Sequence, residues 1–390
     1  MTAVIFQLLG GVGMFLLAMV LLTDGLKAFA GEALRRALVQ FTGTPAKAFA
    51  SGALVTVLVQ SSSATTVTVI GFVSAGLLTF PQAVGVVMGA SLGTTGTGWM
   101  VSALGLKVSV AFYALPLVGI GAFVKLLGRG RWRSLGLALA GFGLIFIGID
   151  TLQDAMRELS GVFNLARLPS GNFLGHLLAM AVGIVLTVVM QSSSAAVATA
   201  LTALHSEAIN FEQAAPLVIG AAVGTTVTGA LAAIGGNVSA KRTAMAHVLF
   251  NLGTGLIAVV LLPFFFQLIF WAQQNAGLDP GAMSLAAFHT TFIALGVVIF
   301  LPAVGPFSRM IERLLPEREP NLTRHLDKTV LQTPEVALEA TQRALREVAA
   351  ETFLALRGSI LNPGEPEDAG LAAGRLRNAL DQLQEFFARI

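Results

Sequence analysis

Gln60-Ser61-Ser62-Ser63-Ala64 recurs as Gln191-Ser192-Ser193-Ser194-Ala195, 131 residues further on. Both copies lie within apolar stretches. A glutamine amide and three hydroxyls in hydrocarbon are costly unless something satisfies them. For one isolated serine, the plain reading is a hydroxyl bonded back to its own helix. Two identical polar clusters in one register argue instead for a ligand. Such hydroxyls can accept from water, coordinate a cation, or donate to an oxyanion. A second motif follows at the same offset: Gly89-Ala90-x-x-Gly93-Thr94-Thr95-x-Thr97-Gly98 matches Gly220-Ala221-x-x-Gly224-Thr225-Thr226-x-Thr228-Gly229. Gly-x-x-x-Gly alone is ordinary helix packing. The adjoining threonines add oxygen atoms beside glycines that ease local unwinding, so ion or substrate coordination stands beside packing as a reading.

The register holds outside the motifs. Gly52, Thr56, Thr68, Phe80 and Gln82 pair with Gly183, Thr187, Thr199, Phe211 and Gln213, and an offset of 130 pairs Gly11, Gly13 and Asp24 with Gly141, Gly143 and Asp154. Chance does not place two multi-residue motifs in one register over more than 40 residues, so the chain is internally duplicated. What the motifs lack also matters. No Asp or Glu lies between Glu32 and Asp150, between Glu158 and Glu207, or between Glu212 and Asp279. No Lys or Arg lies between Lys47 and Lys107, or between Arg167 and Lys241. Proton coupling ordinarily needs an intramembrane carboxylate or histidine. Coupling by a metal cation needs only neutral oxygens, and a bound anion would then be balanced by co-bound cations and helix N-termini. The pattern favours sodium-coupled anion transport.

The elements that must position these residues belong to a membrane protein. Of 390 residues, 55% are hydrophobic and 12% charged, with mean hydropathy +0.79. Charge concentrates at the end: 8 acids and 13 bases in residues 1–300, against 13 and 11 in 301–390. The apolar runs are continuous rather than alternating, which disfavours a β-barrel. Cysteine is absent, excluding disulfides and thiolate chemistry. The net charge of +3 is too small to indicate a nucleic-acid partner. No nucleotide-binding loop, metal-ligand cluster or nucleophile–base pair is visible, so no enzyme activity and no cofactor are expected. His247 reads as a packing residue, and Asp24 and Asp154 as residues that cap or face the interface.

Full spans are expected at Val4–Leu22, Gln82–Ala103, Val108–Leu126, Leu135–Leu152, Gln213–Ile234, Ala244–Phe264 and Ser284–Pro302. The first is read as retained rather than cleaved, because no basic segment precedes it. Residues 44–79 and 172–206 are too long for one span and too short for two, and each has polar residues at its middle. That profile predicts re-entrant helical hairpins. Residues 26–41 read as an interfacial amphipathic helix. With seven crossings, most of the Lys and Arg fall on one side and only Lys107, Arg157 and Arg167 on the other. The positive-inside rule then puts the N-terminus outside and the C-terminus in the cytoplasm. The hairpins enter from opposite sides, so the repeats are inverted. The expected fold is an all-α inverted-repeat secondary transporter of about seven transmembrane helices. It comprises a first repeat over 1–131, a second over 132–264, an additional transmembrane helix over 265–310 and a soluble helical tail over 324–390. The tail reads as two helices around a turn at 362–366, the second over 371–387, pairing with a second copy of the chain or with the membrane body.

At the paired Gln-Ser-Ser-Ser motifs the sequence resembles the sodium/phosphate cotransporter type II family, including its bacterial members. Both tips, both Gly-Thr-Thr runs and Phe250-Asn251 carry the resemblance over roughly residues 5–305. It implies symport of inorganic phosphate with Na⁺ in a multi-pass protein of the inner cell membrane. Carried over by position, Gln60, Ser61, Ser62, Ser63, Gln191, Ser192, Ser193 and Ser194 would hold phosphate. Gln60, Ser63, Thr94, Thr95, Thr97, Gln191, Ser194, Thr225, Thr226, Thr228 and Asn251 would hold Na⁺. Two departures stand out. Ser91 and Ala222 occupy positions where the family often has Asn, and no acidic residue follows the first run near Leu104–Leu106. A phosphate exporter, another oxyanion transporter and a phosphate-responsive sensor are the alternatives on the same scaffold. The tail resembles a shortened PhoU-like domain, and a homodimer is the expected assembly.

Overall fold

The structure is a computed structural model that describes residues 2–40, 42–105, 111–162, 172–317, 322–323, 325–326, 330–331, 334–361 and 366–390. Among the described residues every regular element is a helix. Six stretches are long and apolar enough to cross a membrane: Thr2–Gly31, Arg131–Leu159, Phe173–Met190, Phe211–Ala232, Val238–Val260 and Ala282–Phe300. The protein is therefore a multi-pass, all-helical membrane protein. Phe173–Met190, expected as a hairpin arm, is among the six; at about 1.5 Å rise per residue its 18 residues span roughly 27 Å. The expected spans at Gln82–Ala103 and Val108–Leu126 are not. The first carries the Gly/Ser/Thr run that dilutes its apolar character, and residues 108–110 of the second lie outside the described part, as do Lys107, Arg167 and residues 362–365 of the tail turn.

Two long helices form the scaffold, α1 (Thr2–Gln40) and α6 (Arg131–Val162). The expected break into a span and an interfacial helix near residue 25 does not occur: α1 runs through without interruption. No proline or cap stops it there, and a glycine costs a helix only about 1 kcal/mol. Gly25 also lets α6 approach, since a Cβ there would lie 2.5 Å from the Ala138 backbone nitrogen. Similar close contacts join Gly11 to Leu152, Gly148 to Phe15 and Gly141 to Leu22. Positions rise along α1 as they fall along α6, so the two helices are antiparallel. Gly141 and Leu22 are the 130-offset mates of Gly11 and Leu152, which makes the contact reciprocal.

Between the scaffold helices the chain forms α2 (Pro45–Val59), α3 (Ser62–Ser74), α4 (Phe80–Met100), a π-helical turn at Val101–Gly105 and α5 (Ala111–Leu127). After α6 come α7 (Phe173–Met190), α8 (Ser193–His205), α9 (Phe211–Gly224), α10 (Thr226–Ala232) and α11 (Val238–Val260). Small residues seam α2 to α4: a Cβ on Gly89 would lie 2.0 Å from the Phe49 carbonyl oxygen, and one on Gly93 2.6 Å from that of Ala53. Glycine is obligatory at such points. Gly220 and Gly224 meet Met180 and Ile184 in the same way, each residue shifted by 131. Positions rise together in both seams, so α2 and α4 are parallel, as are α7 and α9. For α4 to begin beside the start of α2, with Gly85 against Pro45, the chain must travel back through α3.

The remaining helices are α12 (Leu262–Asn275), α13 (Ala282–Phe300), α14 (Val304–Leu314), α15 (Pro334–Leu361) and α16 (Pro366–Phe387). The expected span over 244–264 ends early, because Pro263 starts a new helix at the first turn of α12. The tail packs on the membrane body. Val336, Ala337, Ala340 and Phe386 share a buried cluster with Leu38, Val55, Phe72 and Leu78. The Arg343 guanidinium donates to the Gly76 carbonyl, and a His325 ring nitrogen lies 3.2 Å from the Ser74 carbonyl. These side chains cover carbonyls at the C-terminus of α3, where the last turn has none of its own donors left.

Candidate functional site

Each Gln-Ser-Ser-Ser motif is the joint between two helices. Gln60 ends α2 in the left-handed region (φ 58°, ψ 29°), and Gln191 ends α7 in the same way (φ 50°, ψ 26°). A non-glycine residue there costs about 1–2 kcal/mol. The glutamine side chain offsets part of that cost by capping the helix it terminates. Gln60 Nε2 donates to the Val57 carbonyl and Gln191 Nε2 to the Val188 carbonyl, each at 2.6 Å. The next residue turns the chain into extended conformation and starts the following helix as its N-cap. Ser61 Oγ accepts from the Ala64 N–H, and Ser192 Oγ from the Ala195 N–H, both at 3.2 Å. Of the three serines in each copy, the first is thus spent on folding. The N–H groups of Ser62 and Ser63, and of Ser193 and Ser194, open α3 and α8 and have no acceptor within their own helices.

The two joints meet. Gln60 to Ser63 and Gln191 to Ser194 line one cavity of about 370 Å³. Thr97 of α4 ties them together: its hydroxyl donates to Gln60 Oε1 at 2.9 Å and lies 3.4 Å from Ser194 Oγ. The far wall is α1, through Leu16, Met19, Val20, Thr23, Asp24 and Lys27. The charges absent from both motifs are therefore supplied by a helix that precedes them. From the sequence alone Asp24 is expected to cap a helix or face the interface. Its signal was the spacing of these six positions, which share one helix face. Free N–H groups at two helix starts, serine hydroxyls and one ammonium make this cavity suited to a tetrahedral oxyanion.

A second cavity, of about 20 Å³, lies against the first. Ser62 and Ser193 line both cavities. Thr94 and Thr225, Ser91 and Ala222, Asn251, His289 and Ile293 complete the small one. Three of these pairs are related by the offset of 131. The space suffices for one water or ion. The two threonines, Ser91 and the Asn251 amide of this lining have already committed protons. Thr94 donates to the Ala90 carbonyl (3.0 Å), Thr225 to that of Ala221 (3.1 Å) and Ser91 to that of Val87 (3.2 Å). The Asn251 amide nitrogen donates to the His247 carbonyl (3.0 Å) and Ser91 Oγ (3.4 Å), leaving its oxygen as acceptor. Lone pairs without protons suit a cation. His289, from α13, is 4% exposed, and its Nδ1 has no partner among the described residues. The sequence reading missed it, although a histidine within an apolar span is a functional candidate by default.

The expected Na⁺ ligands divide accordingly. Thr94, Thr225 and Asn251 line the small cavity, whereas Gln60, Ser63, Gln191 and Ser194 line the large one. Thr95, Thr97, Thr226 and Thr228 line neither cavity. Thr95 donates to the Leu92 carbonyl at 2.8 Å and Thr226 to the Val223 carbonyl at 2.7 Å. Thr97→Val tests the tie between the joints. It removes the donor to Gln60 Oε1 and should cost about 1 kcal/mol of stability. The expected readout is a small drop in the detergent melting temperature.

Comparison with known proteins gives a consistent result. The Na⁺/Pi-cotransporter family matches twice, over residues 14–154 and 167–304. The chain is 33% identical over 309 residues to the uncharacterized protein YqeW of Bacillus subtilis, covering 78% of this chain and 96% of that protein. It is 30% identical over 351 residues to the Escherichia coli K12 protein named "Putative inorganic phosphate export protein YjbB", covering 88% of this chain but 62% of that protein. The Salmonella typhimurium protein of the same name is 28% identical over 373 residues, 66% of its length. No solved structure matches.

Proposed function

Because the chain belongs to the Na⁺/Pi-cotransporter family, a family of phosphate transporters, we propose that it is a sodium-coupled symporter of inorganic phosphate. The observation that carries this reading is the pair of adjoining cavities sharing Ser62 and Ser193. The larger offers donors and Lys27 to phosphate. The smaller offers lone pairs, among them those of Thr94, Thr225 and the Asn251 amide oxygen, to a dehydrated Na⁺. A cation in the small cavity lowers the cost of the neighbouring anion, which couples the two without a carboxylate between them.

Alternating access follows from the same architecture. The antiparallel, reciprocal packing of α1 on α6 supports an inverted relation between residues 1–131 and 132–264. The return of the chain through α3 supports re-entrant hairpins, with the tips near the membrane midplane. Charge sorting places the N-terminus outside and the tail in the cytoplasm of the cell membrane. Direction is set by the ion gradients, and the name of the Escherichia coli relative favours net export as the second reading. The test uses purified protein in proteoliposomes. An inward Na⁺ gradient is expected to drive accumulation of labelled phosphate. Equal uptake with K⁺ or choline at fixed pH would refute sodium coupling.

A further inference from the structure

The wall that α1 presents to the large cavity has a counterpart on α6 that lines no part of it. Leu16, Met19, Val20, Thr23, Asp24 and Lys27 line the cavity. Their mates at the 130 offset are Phe146, Ile149, Asp150, Gln153, Asp154 and Arg157 of α6. The chemistry is kept at the charged end: Asp-x-x-Lys on α1 and Asp-x-x-Arg on α6. None of the α6 residues lines the cavity. Gln153 and Ile149 are buried at 8% and 0% exposure, whereas Asp154 and Arg157, 3.7 Å apart, each keep 62% of their side-chain surface exposed. Beside them, Met156 packs on Ala203 and Ala208 at the end of α8, which closes that side. Since α1 and α6 are antiparallel and in reciprocal contact, Lys27 and Arg157 lie toward opposite ends of the scaffold pair.

We propose that Gln153, Asp154 and Arg157 line a second vestibule, on the opposite face of the membrane from Thr23, Asp24 and Lys27, which opens as the present cavity closes. Each mouth then carries one fixed cation to draw in the oxyanion and one carboxylate to draw in Na⁺. The charge missing from the hairpin tips is thus present at both ends of the path. This inference rests on the transporter reading above and adds residues to it.

The chain contains no cysteine, so single cysteines can be introduced without a prior background change. Thr23→Cys and Gln153→Cys proteins, reconstituted in one orientation, are treated with a membrane-impermeant maleimide from either face. The two positions are expected to react from opposite faces. Na⁺ with inorganic phosphate should shift the two rates in opposite directions, by roughly tenfold. Reaction from the same face, rates that move together, or no reaction at Gln153→Cys in a protein that still takes up phosphate would overturn the proposal. Should either variant fail to fold, Val20→Cys, which lines the present cavity, and Ile149→Cys, buried one turn before Gln153 on the same helix face, replace them. Opposed rates driven by sulfate but not phosphate would keep the vestibule and refute the substrate. Intact sodium-driven phosphate uptake with same-face labelling would do the reverse.

Discussion

Replacing Ser62 and Ser193 together with alanine is expected to abolish phosphate binding while leaving the protein folded. Both side chains line both cavities, and neither hydroxyl has a hydrogen bond to the protein among the described residues. A hydrogen bond to a charged group contributes about 1.5–3 kcal/mol. Losing two therefore lowers affinity by roughly two to four orders of magnitude. The neighbouring Ser61→Ala, Ser192→Ala double variant should behave differently. Those hydroxyls cap α3 and α8, and each lost cap costs about 1 kcal/mol of stability. Isothermal titration with phosphate in Na⁺, together with melting curves in detergent, separates the two outcomes. Weak melting with tight binding in the Ser62/Ser193 variant would contradict the site.

Among the described glycines Gly220→Ala should be the most disruptive substitution, with Gly89→Ala close behind. An added Cβ would lie 1.9 Å from the Met180 carbonyl oxygen in the first case and 2.0 Å from that of Phe49 in the second. The obstacle is backbone on a neighbouring helix, so no rotamer relieves it, and α7 must separate from α9, or α2 from α4. Overpacking of this kind costs about 1–3 kcal/mol and can exceed it. The displaced helices are those that end in Gln191 and Gln60, so binding should fall along with stability. Gly10→Ala is the matched control. It lies in α1 with nothing within 4 Å, and should gain up to about 1 kcal/mol of helix propensity. Melting temperatures of the three variants in one detergent provide the comparison. Equal shifts in all three would show that the seams are not close-packed.

Much of the site is legible in the primary structure because its determinants are local. Gln followed by three Ser specifies a helix end, an N-cap and two free N–H groups within four residues. The repetition of that motif announces a second tip. The small-residue register of the Gly-x-x-x-Gly runs likewise signals close seams, since close approach of two backbones excludes every larger residue. The reading erred where neighbours compete with local preference. Residues 26–41 have an interfacial composition, yet α1 continues unbroken to Gln40 because α6 covers Gly25 and no stop signal intervenes.

Which oxygens share a cavity was beyond sequence. Thr94 and Thr95 are adjacent and chemically alike, but one lines the small cavity and the other bonds back to Leu92 outside it. A helix turns about 100° per residue, so which of two neighbours faces the cavity depends on how α4 sits against its neighbours. Asp24, Lys27 and His289 join the site from α1 and α13, far along the chain from either motif. Composition and periodicity settle what each segment can form on its own. Long-range packing of helix on helix decides which side chains meet, and here it brings a lysine and an aspartate to a pair of tips that carry no charge.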